Sequence, residues 1–184
     1  MLIGGALRLL WRPEEAWDAV RSSMPRWRRV LCGIVAPLAL LPAAAWPLGH
    51  VANPIGPGEV TARSLAVSVG GTFAFCVATV LVVAAAIYVL APLFSSQRDW
   101  NGAVAVASYS GVPVLLASPL LASAVLTILV IVALFHACFL CGIGVRRVLG
   151  CRGEDAAMYV AAVGFVSVLA GLLLGGLSSA AGIL

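Results

Sequence analysis

Charge is scarce in this sequence, and lysine is absent from it altogether. Only 10% of the 184 residues are charged and 62% are hydrophobic, whereas a soluble domain carries about 25% charged and about half apolar residues. All 11 basic residues are arginine, against 7 acidic ones. This composition excludes an ordinary water-soluble globule and is typical of a membrane protein.

Catalytic and nucleotide-binding motifs are missing as well. The sequence contains no phosphate-binding loop, no His-Glu-x-x-His pair and no dinucleotide fingerprint. Its basic excess is explained by membrane topology, so nucleic-acid binding is not implied. The 5 cysteines lie mostly in apolar segments and offer no secreted disulfide framework. We therefore predict a protein that is not an enzyme and that carries no cofactor.

Three apolar runs predict transmembrane helices directly. Residues 30–51, 65–94 and 156–184 are each long enough, at about 1.5 Å per residue, to cross the roughly 30 Å hydrocarbon core of a bilayer. Because these runs lack the alternation of strands, they indicate an all-α protein.

A fourth uncharged run, residues 102–143, is about twice the length of one span and must fold back on itself. Ser118-Pro119 divides it, because serine caps helices and proline is favoured at the first helical position. The predicted third span covers residues 100–117, and the fourth covers residues 119–143. Together these segments predict a polytopic bundle of five transmembrane helices.

Pro113 interrupts the third predicted span. Proline cannot donate a hydrogen bond to the carbonyl of Tyr109, and its ring pushes that carbonyl aside. In hydrocarbon the freed carbonyl needs another partner, which Ser108, Ser110, a water or a neighbouring helix would supply. We expect the third helix to be kinked and buried inside the bundle.

The arginines indicate how the chain crosses the membrane. Ten of the eleven lie on one side of the predicted spans, and only Arg63 lies on the other. Because cytoplasmic segments are enriched in arginine, we expect a cytoplasmic N-terminus and a C-terminus in the periplasm or outside the cell. The predicted location is the inner membrane of a bacterium. A re-entrant hairpin made of the third and fourth helices would satisfy the same arginine count, and it stays open.

Residues 1–29 form a predicted cytoplasmic segment ahead of a transmembrane domain of residues 30–184. From the cytoplasmic segment into the first span, apolar residues recur at three- and four-residue spacing, with arginines between them: Trp17, Val20, Met24, Trp27 and Leu31. The spacing predicts an amphipathic helix in the membrane interface, with its apolar side toward lipid and with Trp17, Trp27, Arg28 and Arg29 as interfacial residues. A partner-binding surface is the alternative.

Small residues mark a packing face on the last span. Ser167, Gly171, Gly175 and Ser179 recur every four residues, which places them on one side of a helix. In lipid, such faces allow close approach of helix backbones. Packing within one chain is the favoured interpretation, and packing between copies in a homo-oligomer is the alternative.

Cysteines and a histidine in the apolar segments are candidate metal ligands. His136, Cys138 and Cys141 form His-x-Cys-x-x-Cys in the fourth span, and Cys32 lies at a similar depth in the first. Thiolates and imidazole bind soft metals. Position 136 nevertheless points about 200° away from position 138 on a helix, so the three cysteines are only weak candidates and no metal is predicted.

His136 is the stronger candidate on its own, because an ionisable group inside a span is a functional-site hypothesis by default. With Tyr109, Ser110 and Pro113 of the third helix it forms a predicted ligand site or proton path. The alternative is a neutral histidine that is hydrogen-bonded to the third helix.

The order of these features resembles the Ypt-interacting protein (Yip, or YIPF) family. Four pieces carry the resemblance: "RPEEAW", "APLFSSQRDWNGAVAVASYSGVP", "HACFLCGIGVRRVLG" and "EDAAMYVAAV". The most specific is Tyr109-Ser110-Gly111-Val112-Pro113, which is similar to the family's Tyr-Ser-x-x-Pro. The resemblance implies five spans, a cytoplasmic N-terminus and a tendency to self-associate. In eukaryotic members it implies vesicle traffic and Rab-type GTPase partners, whereas the arginine- and alanine-rich composition suggests a bacterial-type member.

The predicted function is therefore that of a non-catalytic membrane protein that organises the membrane or unknown partner proteins. The alternative is a small channel or transporter that uses the proline-kinked third helix, because such segments often line substrate paths.

Overall fold

Regular structure in the described parts of the chain is entirely helical. The computed structural model describes residues 8–9, 11–52, 61–122 and 126–180. Its main helices are α1 (Pro13–Ser23), α2 (Trp27–Val30, a π-helical turn Leu31–Val35, then Ala36–Ala52), α3 (Ala62–Leu90), α4 (Trp100–Ser110), α5 (Val112–Ala117), α6 (Thr127–Leu149) and α7 (Ala156–Ala180). Two 3-10 turns, Ala91–Phe94 and Ser118–Ala122, follow α3 and α5.

Five helical stretches of the described chain are long and apolar enough to cross a membrane. They are Trp27–Ala45, Ala62–Phe94, Trp100–Leu120, Thr127–Leu149 and Ala156–Leu173. The third combines α4, α5 and the 3-10 turn after them. The prediction of an all-α, five-helix membrane protein is confirmed.

The third span lies at the centre of the bundle. In an 18-residue window of this span 61% of the residues are buried, against 17 to 33% in the other four. Every residue from Gly102 to Ser110 is buried, because the alanines and the glycine of α4 let α3 and α6 approach closely. The helix is interrupted at Gly111, two positions before Pro113, and the Ser110 hydroxyl donates to the Val106 carbonyl over 2.6 Å.

The fourth span begins at Thr127, and the predicted start at Pro119 is wrong. Ser118 and Pro119 lie in the 3-10 turn that continues the third span. The Ser118 hydroxyl donates to the Leu115 carbonyl and so does not cap a following helix. The span also continues to Leu149, beyond the predicted end at residue 143, and Gly150 closes it with a φ of 70°.

The N-terminal helix differs from its prediction in two respects. The helix is not continuous from Trp17 to Leu31, because α1 ends at Ser23 and Pro25 lies in the break before α2. Met24 takes a φ of 29° there. The expectation that Trp17 faces lipid is also wrong, since its side chain is fully buried inside the protein against α6.

Candidate functional site

The arginine-rich end of the bundle brings distant parts of the sequence together. It comprises the described residues ahead of α2, the first turn of α2, the C-terminal turns of α6, and two loops, residues 95–99 and 150–155. Backbone contact fixes the first loop to the end of α6, because the N–H of Gln97 donates to the Leu149 carbonyl over 2.8 Å. Most of its arginines are exposed: Arg8, Arg12, Arg21, Arg26, Arg28, Arg29, Arg98, Arg146 and Arg152.

Trp17 anchors α1 to the bundle. Its ring lies edge-on to that of Tyr109 in α4, with ring centroids 6.0 Å apart. Gly144 of α6 makes room for the indole, because a Cβ added at Gly144 would lie 2.8 Å from Trp17 Cζ2 and 3.1 Å from Val106 Cγ1. The attachment of α1 to the bundle therefore depends on the packing of one aromatic side chain against one glycine.

Two ion pairs also hold α1 to α6. The Arg147 guanidinium lies 2.9 Å from Glu14 Oε2 and 3.4 Å from Asp18 Oδ2. All three side chains are largely exposed, so each pair contributes only about 0–1 kcal/mol. The indole supplies most of the attachment, and the ion pairs fix the register of α1 along α6.

The start of α4 connects other segments of the arginine-rich end. Asp99 caps the helix by accepting hydrogen bonds from the backbone N–H groups of Asn101 and Gly102, over 3.2 and 2.8 Å. The Asn101 side-chain oxygen accepts from the N–H of Trp27, over 3.0 Å, at the start of α2. One loop therefore positions both the central helix and the entry of the first span.

Removing the Asp99 carboxylate tests this cap. We expect Asp99→Ala to lower the free energy of unfolding by about 1 kcal/mol, because two backbone donors at the start of α4 lose their acceptor. Asp99→Asn keeps an acceptor and should stay close to the wild type. Thermal unfolding of the purified protein in detergent measures both, and equal losses in the two variants would contradict the assignment.

Aromatic residues pack α3 and α7 together at the arginine-rich end. Tyr159 of α7 is fully buried, stacks on Phe94 with ring centroids 4.8 Å apart, and donates its hydroxyl proton to the Ile87 carbonyl. Tyr88 meets Trp100 edge-on, with centroids 5.6 Å apart. These contacts join the ends of α3, α4 and α7.

Comparison with known families identifies the family of the chain. Residues 7–175 of the chain match the Yip1 domain. The chain belongs to the Yip1 domain family. Neither the comparison with curated proteins nor the comparison with solved structures gives a match.

The motifs that resemble the family meet at the arginine-rich end of this Yip1-domain protein. Trp17 comes from "RPEEAW", Asp99 and Asn101 from the segment before the third span, Gly144 and Arg147 from "HACFLCGIGVRRVLG", and Tyr159 from "EDAAMYVAAV". Within these segments, the sequence pattern does not distinguish Gly144, Asn101, Arg147 or Tyr159. Their partners lie far away in the chain, so no local pattern distinguishes them.

The predicted ligand or proton-path residues are not brought together. Tyr109 packs against Trp17, Pro113 is buried in α5, and Ser110 lines a cavity deeper in the bundle. His136 lies half-buried on α6 with its ring 6.2 Å from that of Phe139, and it does not line that cavity. None of the hydrogen bonds found among the described residues involves His136, so the hydrogen-bonded alternative gains no support there.

The weak metal candidates are also separated. Cys138, which is exposed, and Cys141, which is buried, both line the cavity, whereas Cys32 lies on α2 and does not line it. Within the described ranges, no group of three or more histidine, cysteine or acidic residues is arranged to hold a metal ion.

The predicted packing face on α7 is only partly visible. Ser167 is half-buried and donates to the Val163 carbonyl, while a Cβ added at Gly171 would meet no atom within 4 Å. Among the residues that the structure describes, none therefore packs closely on Gly171. The structure does not describe the surroundings of Gly175 or the side chain of Ser179. A homo-oligomer stays a prediction.

The remaining interfacial candidates lie at the start of α2. Trp27 is half-buried, Arg28 and Arg29 are exposed, and the Arg28 guanidinium carbon lies 5.2 Å from the centre of the Trp27 ring. Their contact with lipid headgroups stays a prediction.

Proposed function

We propose that this Yip1-domain protein is a non-catalytic membrane protein whose arginine-rich end lies in the cytoplasm and gathers anionic lipids or acidic partner proteins. One observation carries the proposal: the buried contact of Trp17 with Gly144 fixes α1 on the bundle, so that exposed arginines stand on an ordered surface. Arg21, Arg26, Arg28 and Arg29 form its most concentrated part.

The physical basis is the negative potential of the cytoplasmic leaflet. Each arginine close to an anionic surface contributes about 1 kcal/mol of attraction, and this attraction falls off within a Debye length. A folded surface holds several of these charges in fixed relative positions. It therefore attracts several headgroups at once without ordering a flexible tail.

Lipid enrichment tests the proposal. We expect the protein in phosphatidylcholine vesicles to draw a fluorescent phosphatidylglycerol toward its tryptophans, measured by energy transfer, and to do so less in high salt. Changing Arg21, Arg26, Arg28 and Arg29 to glutamine should abolish the enrichment. Arg63→Gln, on the opposite side, is the control and should leave it unchanged. Equal enrichment in the quadruple variant and in Arg63→Gln would contradict a role of the arginine-rich end. A partner protein bound at this end would instead appear as a cross-link that the quadruple variant loses.

The absence of lysine provides a direct test of the orientation. Arg152→Lys and Arg63→Lys each introduce one new amine on opposite sides of the bundle, with little change in charge. In sealed vesicles with the cytoplasmic side inside, an impermeant amine reagent should label Arg63→Lys at once and Arg152→Lys only after permeabilisation. The reverse result would invert the proposed topology.

A flux measurement separates the proposal from the channel hypothesis. We expect proteoliposomes to conduct a panel of ions no faster than protein-free vesicles. A flux that the wild type supports and that Pro113→Ala or His136→Phe abolishes would overturn the non-catalytic, non-transporting role.

A further inference from the structure

The first span begins in a turn that its own sequence does not cap. The residue before this turn is Arg26, whose side chain makes no capping hydrogen bond and carries no acceptor atom. The turn Trp27–Val30 follows the break at Met24 and Pro25, and it precedes the π-helical turn Leu31–Val35. It is thus a short α-helical turn between two irregular segments, and its first backbone donors need an acceptor from elsewhere.

Asn101 of α4 supplies that acceptor. Its side-chain oxygen accepts a hydrogen bond from the backbone N–H of Trp27 over 3.0 Å, so the first span is capped by a residue of a different helix. Asn101 is itself held in place, because Gly102 beside it packs so closely on α6 that an added Cβ would lie 2.8 Å from Leu149 Cδ2. A closely packed neighbour therefore holds the first turn of the first span.

The same turn carries two arginines that face away from the protein. Arg28 and Arg29 are exposed, and neither forms an ion pair with an acidic side chain in the described part of the chain. Arg12 and Arg147 differ from them, because both are paired with carboxylates of α1. The charges of the two arginines in the turn are therefore available to an anion from outside the chain.

Aromatic residues indicate the depth of this turn in the membrane. Trp27 lies level with Asn101 through their hydrogen bond, and the adjacent Trp100 meets Tyr88 with ring centroids 5.6 Å apart. Tryptophan and tyrosine favour the headgroup layer of a bilayer. The two arginines follow Trp27 by about 1.5 and 3 Å along the helix, so their guanidinium groups lie at the level of lipid phosphates. A soluble acidic protein would have to enter the headgroup layer to reach them.

We propose that Asn101 is a positioning residue for lipid binding: its cap on the first span fixes the turn from which Arg28 and Arg29 bind the phosphate of an anionic lipid in the cytoplasmic leaflet. The proposal rests on the proposed function, which assigns the arginine-rich end to the cytoplasm. It adds the lipid as the ligand and α4 as the element that orders the site. Val30 is fully buried, so the first span stays packed without the cap and only its exposed turn loosens.

Lipid enrichment separates these two arginines from the other charges of the same end. In phosphatidylcholine vesicles with a fluorescent phosphatidylglycerol, we expect Arg28→Gln combined with Arg29→Gln to lower the enrichment about fivefold for each charge removed. Arg21→Gln combined with Arg26→Gln removes the same charge ahead of the turn and should lower it less. Soluble glycerophosphate in millimolar excess should not compete with the lipid.

Removing the cap tests the positioning role. We expect Asn101→Ala, which keeps every arginine, to lower the enrichment roughly two- to fivefold, as the loss of one hydrogen bond to the turn does. Hydrogen exchange at the Trp27 amide should become faster by a similar factor. Thr61→Ala is the matched control, because Thr61 caps the start of α3 at the opposite end of the bundle by accepting from the Ser64 N–H over 3.1 Å. It removes a comparable cap and should leave the enrichment unchanged.

Equal losses in the two arginine pairs would overturn the proposed lipid contact, and so would competition by soluble glycerophosphate. Full enrichment in Asn101→Ala, or an equal loss in Thr61→Ala, would overturn the positioning role. Each of these results leaves the proposed function standing, whereas enrichment kept in the quadruple arginine variant would overturn both. Thermal unfolding in detergent establishes that Asn101→Ala is folded. The arginine pairs, whose side chains are exposed, keep the proposal testable if it is not.

Discussion

Replacing Trp17 with alanine is expected to release α1 from the bundle and to lower the free energy of unfolding by about 3–5 kcal/mol. The indole is fully buried between Tyr109, Val106 and Gly144, so its removal leaves a cavity that three helices would have to close. Thermal unfolding in detergent measures the loss. Trypsin gives a second readout, because a released α1 exposes the backbone around Arg21 to cleavage.

Trp11 is the matched control for this prediction. It lies only six positions before Trp17, yet its side chain is 87% exposed. Trp11→Ala should therefore leave both the unfolding temperature and the tryptic pattern unchanged. If the two variants lose the same stability, or if Trp17→Ala resists trypsin as the wild type does, α1 is not anchored by its buried indole.

The membrane fold is predictable because its signals are local and redundant. Scarce charge, long apolar runs and an uncharged stretch of double length each require helices that cross a bilayer, since hydrocarbon leaves the backbone few other ways to pair its amides. The burial of the third span is also predictable, because small and hydroxylated residues around Pro113 need neighbours. Both of these properties are encoded within continuous segments of the sequence.

The environment of α1 is not predictable in this way. A stripe of apolar residues with arginines between them looks the same whether it faces lipid or another helix. Trp17 is buried because Gly144 lacks a side chain, and Gly144 belongs to a segment far along the chain. The sequence near Trp17 therefore gives no indication that its side chain packs against Gly144.

The start of the fourth span shows a different limit. Ser118-Pro119 carries the local marks of a helix start, but a serine hydroxyl also bonds readily to a preceding carbonyl, and proline fits a 3-10 turn as well as an α-helical one. The structure uses this second possibility. Local chemistry here permits two boundaries, and tertiary packing selects one of them.

Gly144→Ala should test the same contact from its other side. The new methyl group would lie 2.8 Å from a rigid indole ring, so we expect a loss of about 1–3 kcal/mol in the free energy of unfolding. Gly142→Ala, two positions away, meets Val160 at 3.8 Å and should be neutral or stabilising by up to about 1 kcal/mol.

The two variants should also interact. In the background of Trp17→Ala the indole is gone, so Gly144→Ala should cost much less, because only the 3.1 Å contact with Val106 Cγ1 remains. The double-mutant cycle should return a coupling of about 1–3 kcal/mol in thermal unfolding, well above the scatter for independent sites. Simple additivity would mean that Gly144 is small for a reason unrelated to Trp17. Trp17 and Gly144 lie far apart in the sequence. A large coupling between them would therefore indicate direct contact in the folded protein.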